Sequence, residues 1–387
     1  MKFVALYLVS KFVEGVRIKG RISWHLRRWK LADLISFADA IEDSARYSKR
    51  HLLLGNGFSI ACCPDIFHYG TLFAMADFSD SPDLTVVFEA LDTQDFEIAV
   101  RNLEAAAKLT PIYVPSDSRA PKRMIADAAA LKEILLATIA GNHPNVPSEI
   151  PDEKFWACRR FLNFFLGQSN DGQVYTVNYD LLLYWTLMHE DMADGARVEL
   201  SANDGFGNDE DDPDADYVVW QGETGAHSAK VHFLHGALHL FDAGNELQKF
   251  TWIRTNERLI DQARTAIGEN KFPLFVAEGA SSKKKSKIRH NAYLYQGFKQ
   301  LTANVQQGRQ CFFIHGHSLA VNDDHILLRL GKGRFKKLYV SIFGDPASSA
   351  NQQIISKAEN LANLRHARYP LELAFYDAES ANVWGDT

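Results

Sequence analysis

His51-Leu-Leu-Leu-Gly-Asn-Gly-Phe-Ser59 is the stretch whose reading decides the fold. A short apolar run passes directly into Gly55, Gly57 and Ser59, which is how a nucleotide-binding α/β fold begins: a buried strand, a tight turn and then a helix. Glycines at such a turn let the backbone approach a pyrophosphate, and the helix that follows presents N–H groups and a positive dipole end. Ile60 stands where a G-x-G-x-x-G fingerprint has its third glycine, so an ordinary dehydrogenase loop is disfavoured. Taken alone, the stretch reads equally as a tight strand-to-helix turn that binds nothing.

Working outward, apolar residues at Leu31, Leu34, Ile35, Phe37, Ala38 and Ile41 recur at helical spacing and predict a helix over 29–46. Residues 76–168 read as a helical insertion, with Phe96–Leu103, Met124–Ile139 and Phe155–Leu166 separated by Pro-containing breaks at 111–121 and 144–151. Strand patterns return at Val174–Val177, Tyr217–Trp220, Val231–Leu234, Cys311–Ile314 and Lys337–Phe343. Short buried strands alternating with helices predict an α/β protein, a Rossmann-like parallel sheet with helices on both faces. The organisation expected is a basic N-terminal helical arm over 1–50, the α/β domain over 51–345 and a C-terminal segment over 346–387.

The chain has 387 residues, 46% of them hydrophobic and 23% charged, with a net charge of -6. That balance argues against a dedicated nucleic-acid binder, although residues 1–50 hold 11 Lys and Arg against 5 Asp and Glu. Asn203–Asp216 is strongly acidic and Ser281–His290 strongly basic; both read as surface loops, the basic one able to reach a phosphate. The acidic stretch lacks the alternation of a calcium loop. Cys62, Cys63, Cys158 and Cys311 contain no Cys-x-x-Cys pair, so no metal site is expected and a reducing compartment is. With no convincing signal peptide and no membrane-length apolar run, the expected location is the cytoplasm.

Four short motifs follow predicted strands: Gly55-Asn56-Gly57-Phe58-Ser59, Thr176-Val-Asn178-Tyr-Asp180, Phe233-Leu-His235-Gly236 and His315-Gly316-His317-Ser318, the last running on to Asp323 and Asp324. In an open parallel sheet the ligand crevice lies beyond the carboxyl ends of the strands, so these separated motifs are expected to converge on one site.

In these motifs the chain resembles the sirtuins, and more closely the sirtuin-like domains of bacterial antiphage defence, over roughly residues 51–345. The resemblance rests on Gly55–Ser59, Thr176–Asp180, His235-Gly236 and Gly316-His-Ser-Leu-Ala-Val321. The four-cysteine zinc module of deacylase sirtuins is missing, so the resemblance implies the defence branch, whose domains hydrolyse NAD and starve an infected cell. It also implies a homo-oligomer, a separately encoded ATPase or sensor protein as partner, and NAD as substrate rather than cofactor.

Bond chemistry points the same way. Breaking the ribose–nicotinamide bond builds oxocarbenium-like charge on the sugar while the pyridinium departs neutral, so positioning and a proton acceptor suffice. Asn178 is expected to hold a water or ribose hydroxyl, and His235 to accept its proton. Asp180 is expected to grip the carboxamide or a hydroxyl. Gly55, Gly57 and Ser59 would cradle the pyrophosphate, with Asn56, Phe58, Thr176 and Gly236 as further NAD-binding residues; Gly316 and Ser318, with Asp323 or Asp324, would bind the adenosine half. The alternatives are a non-catalytic NAD or ADP-ribose sensor and, less in keeping with the missing zinc module, a deacylase.

Overall fold

The computed structural model describes residues 34–385, apart from 65, 67–71, 142, 190–197, 213, 223–228, 251–256 and 277–280. Most of the predicted basic arm therefore lies outside the described residues. Eleven strands are present among the described residues: β1 (Lys49–Leu54), β2 (Val174–Thr176), β3 (Phe206–Gly207), β4 (Tyr217–Trp220), β5 (Val231–Phe233), β6 (Gly236–Asp242), β7 (Leu247–Phe250), β8 (Phe272–Phe275), β9 (Gln310–His315), β10 (Lys337–Ile342) and β11 (Glu372–Asp377).

Six of them form a parallel sheet in the order β11-β10-β9-β1-β2-β5. Leu52, Leu53 and Leu54 are fully buried, as a central strand covered on both faces requires. Relabelled by chain position within this sheet the order is 3-2-1-4-5-6, the doubly wound arrangement of a Rossmann fold. Its switch point falls between β1 and β9, where Leu54 pairs with His315. The first and last motifs thus leave adjacent strands on either side of the crevice that such a sheet opens to ligands.

The N-terminal helix is shorter than its periodicity predicts. It spans Phe37–Ser44, begins at a capping box between Ser36 and Asp39, and is preceded by Ile35, which bridges to Tyr376. The C-terminal segment does not stand apart from the domain: β11 pairs in parallel with β10 over six residues, from Lys337↔Glu372 to Ile342↔Asp377. Trp384 donates its indole N–H to the Phe58 carbonyl at 2.7 Å, tying the end of the described chain to the glycine turn.

Between β1 and β2 the chain is helical, as expected, with long helices at Phe96–Tyr113, Arg119–Gly141 and Asp152–Leu166. Pro111 sits inside the first of these, which ends two residues later at Tyr113, so the predicted break follows the proline and does not coincide with it.

Tyr217–Trp220 belongs to a second, antiparallel sheet of order β3-β4-β7-β6-β8 and not to the parallel one. It is only half-buried along its length, and antiparallel neighbours need only short connections where a parallel strand needs a crossover. The two sheets meet at Leu234-His235. β5 ends in the parallel sheet, the chain turns at Gly236 (φ +77°), and β6 begins in the antiparallel one. A Cβ on Gly236 would lie 1.9 Å from the Leu274 carbonyl oxygen, so only glycine permits this turn against β8.

Ser281–His290 is a helix, not a loop. Lysine is a good helix former, Lys284 and Ile288 turn one face inward, and Lys287, Arg289 and His290 lie in the last turn, where cations suit the helix dipole. No helix among the described residues is long and apolar enough to cross a membrane.

Candidate functional site

Thr176 pairs with Phe233 at the last register position of β2 and β5, so Asn178 and His235 each stand two residues beyond it on neighbouring strands. The Thr176 hydroxyl accepts the Asn178 backbone N–H at 3.0 Å and sets the turn. The Asn178 side-chain amide donates to the Gly55 carbonyl at 3.1 Å and to Ser59 Oγ at 2.9 Å. With both amide hydrogens engaged, Oδ1 is the atom that remains to accept from a water or a ribose hydroxyl.

Ser59 is fully buried, and its hydroxyl donates to Asp180 Oδ2 at 2.5 Å. Asp180 Oδ1 accepts the Leu182 N–H at 3.0 Å, which opens the helix Leu182–Met188. Burial pushes the Asp180 carboxyl above the usual range, against the hydrogen bonds from Ser59 and Leu182. Each oxygen accepts one bond from within the protein, so Asp180 fixes Ser59 and, through it, Asn178. Beside it the Leu181 N–H donates to His143 Nε2 at 2.9 Å, while His143 Nδ1 donates to the Pro144 carbonyl at 2.7 Å, so the helical insertion itself buttresses this turn.

The glycines bring the two loops together. Gly57 N–H donates to the Gly316 carbonyl at 2.7 Å and Gly55 N–H to the His315 carbonyl at 3.0 Å. A Cβ on Gly55 would stand 2.7 Å from His317 Cα, one on Gly57 2.7 Å from Gly316 Cα, and one on Gly316 2.4 Å from the Phe58 nitrogen. The close approach is between the two loops at the switch point. Phe58 is buried with its ring centroid 4.9 Å from that of Trp384, and so belongs to the core. Asn56 lies at the start of the helix Gly57–Cys62 without a side-chain capping bond. Ser318 is exposed, and Asp324 is the first residue of the helix Asp324–Gly331.

Asp323 lies beside His235. His317 Nε2 lies 3.4 Å from Asp323 Oδ2, and His235 Nε2 lies 3.9 Å from Asp323 Oδ1 and 3.0 Å from His325 Nε2. Lys284, from the helix expected to be a loop, is buried with Nζ 2.9 Å from Asp323 Oδ1. Burial would raise the Asp323 carboxyl, but His317, His235 and Lys284 outweigh it and hold it well below the usual carboxylate range. Burial, reinforced by the Lys284 ammonium and opposed by Asp323, holds the His235 imidazole well below its usual value, hence neutral. His325 is lowered to about 4, chiefly by burial.

His235, Asp323 and His325 bring one ligand atom each within 4.8 Å of one another. That spacing suits a divalent cation, yet the countercharge at this carboxylate is already the Lys284 ammonium. Lys284 and His325 carry no signal of their own in the sequence. They become visible only through contacts 39 and 90 residues distant along the chain.

The contacts run without a gap from Asn178 through Gly55, the His315–His317 loop and Asp323 to His235. They define a Rossmann-like α/β protein whose polar groups are gathered at the strand ends over the switch point. The chain belongs to the family described as Domain of unknown function (DUF4917), whose model matches residues 52–384. No curated protein matches the chain.

Proposed function

We propose that this protein is an NAD glycohydrolase that cleaves NAD to nicotinamide and ADP-ribose, and that it serves antiphage defence by depleting NAD. The observation that carries the reading is the placement of Asn178 and His235 at equivalent positions past adjacent strands, with Asp323 beside the histidine. Asn178 Oδ1 orients a ribose hydroxyl or water. The neutral His235 imidazole accepts a proton from it, and the ionised Asp323 beside the ring favours the imidazolium that forms. Resemblance to the sirtuin-like defence domains supports the same assignment, with a homo-oligomer and a separately encoded ATPase or sensor as the expected assembly.

Incubating the purified full chain with NAD and following free nicotinamide tests this. Asn178→Ala and His235→Ala should each lower turnover by ~10²-fold or more; parental turnover in either variant refutes the assigned roles. A second reading is favoured by the closure of the two glycine loops on each other, which leaves Gly57 N–H bonded to Gly316: a non-catalytic NAD or ADP-ribose sensor. Tight binding without release of nicotinamide identifies it.

A further inference from the structure

Cys62 and Cys63 close the short helix Gly57–Cys62 that carries Ser59. Their sulfurs lie 3.6 Å apart, Cys62 buried and Cys63 half-exposed. The other two cysteines of the chain, Cys158 and Cys311, are buried. The Cys62 thiol stabilises a Cys63 thiolate, burial opposes it, and the Lys154 ammonium assists, so that Cys63 is lowered to about 7. The same contact and burial push Cys62 up; burial raises Cys158, and it raises Cys311 to about 12. Of the four sulfurs, that of Cys63 is therefore both accessible and the one whose thiolate is favoured, with a second sulfur in contact.

We propose that Cys63 is a thiol-modification site: a peroxide-reactive nucleophile for which the adjacent Cys62 is the resolving partner. The Cys63 thiolate attacks hydrogen peroxide, the O–O bond breaks, and an S–O bond forms. The sulfur becomes a sulfenic acid, oxidised by two electrons, and hydroxide leaves. Cys62 then attacks the Cys63 sulfur; the S–S bond forms as the S–O bond breaks, the Cys62 proton goes to the departing oxygen, and water is released.

Closing the sulfurs from 3.6 Å to a bonded distance of about 2.05 Å requires the intervening peptide to turn. The bond at stake is Cys63 N–H to the Ser59 carbonyl, 3.1 Å long, on the residue that holds both Asn178 and Asp180. Oxidation is thereby coupled to the strand-end site whatever that site binds.

The test uses the reduced full chain under native conditions. Iodoacetamide in limiting amount should label Cys63 at least ~10-fold faster than Cys158 or Cys311, as thiolate fraction and access dictate. A small excess of hydrogen peroxide should remove two hydrogens from the peptide holding Cys62 and Cys63, and dithiothreitol should restore them. Cys62→Ser should stop at a sulfenic acid that dimedone traps, while Cys63→Ser gives neither product. Equal labelling of Cys63 and Cys311, or a parent that oxidises only between molecules or only to sulfinic acid, overturns the proposal. The labelling and mass readouts on the parent do not depend on either variant folding.

Discussion

Acidifying the solution from pH 7.5 to 5 should remove much of the protein's stability, because an unusual number of imidazoles are buried neutral. Burial lowers His51, His143, His315 and His325 to about 4 and His232 to about 3, and holds His235 and His239 well below the usual value. The unfolded chain takes up a proton at each near pH 6.5, whereas the folded chain does not until its lower value is reached. Stability is thus complete above pH 6.5 and falls as the pH drops from there towards 4. At pH 5 each group has crossed about 1.5 units, worth ~2 kcal/mol. Five such histidines sum to ~10 kcal/mol, and halving this for relaxation and water entry leaves ~5 kcal/mol, against a typical total of ~5–15 kcal/mol. Asp180, whose carboxyl burial raises, works in the opposite sense but is one group against seven. Asp43 and Asp171 are lowered carboxylates, so their losses begin only below their ordinary value of 3.8, while Cys63, lowered from 9.0 to about 7, adds a smaller loss of the same sign at the upper end of the window. Urea unfolding followed by circular dichroism at pH 7.5, 6.5, 5.5 and 5.0, at fixed ionic strength, measures the effect. An unfolding free energy at pH 5 within ~1 kcal/mol of that at pH 7.5 would refute the burial of these rings as neutral species.

Gly316→Ala should cost at least ~2 kcal/mol in urea unfolding, since its φ of +68° disfavours a side chain and the new Cβ would sit 2.4 Å from the Phe58 nitrogen; parental stability would mean the loops are not in contact. Lys284→Met leaves the Asp323 carboxylate buried without its ammonium and should cost ~3 kcal/mol at pH 8. The deficit should narrow at pH 6 as a neighbouring histidine gains a proton in the lysine's place, and a pH-independent deficit would contradict the pairing. Removing residues 372–387 strips β11 from the sheet and Trp384 from Phe58, so the truncated chain should be insoluble or lack a cooperative transition; a soluble, cooperatively folding product would show that this segment is dispensable.

What the sequence makes legible follows from burial. β1, β2, β5, β9 and β10 are strands covered on both faces, and their continuous apolar runs stand out between helical patterns. β11 is an edge strand whose residues are mostly half-buried; its apolar run Leu373-Ala-Phe-Tyr376 is flanked by Glu372 and Asp377 and lies beyond the domain end expected at 345. The second sheet escapes for a related reason: β4 shows the same short apolar pattern as a parallel strand, and only its antiparallel partners, β3 and β7, distinguish the two. Asn178 and His235 are legible because position at a strand end is itself a signal. Lys284 is not, because a lysine-rich segment has the composition of a solvated face until Asp323 and Asp95 are found to pair with Lys284 and Lys287.

The glycine turn shows how one physical property can serve two ends. Lacking a Cβ, Gly55 and Gly57 admit any backbone that approaches closely, a pyrophosphate or another loop, and the sequence alone cannot say which. Here the approaching backbone is Gly316, itself a glycine for the same reason. For the proposed ligand, engaging the Gly57 N–H means exchanging its 2.7 Å bond to the Gly316 carbonyl for one to phosphate. A neutral hydrogen bond of this kind contributes ~1 kcal/mol net, and one to a charged oxygen ~1.5–3 kcal/mol. On the proposed reading the exchange is favourable provided the displaced carbonyl finds a partner, so that ligand entry would part the β1 and β9 loops, and Ser59, bonded to Asn178 and carried on the helix Gly57–Cys62, would feel that movement.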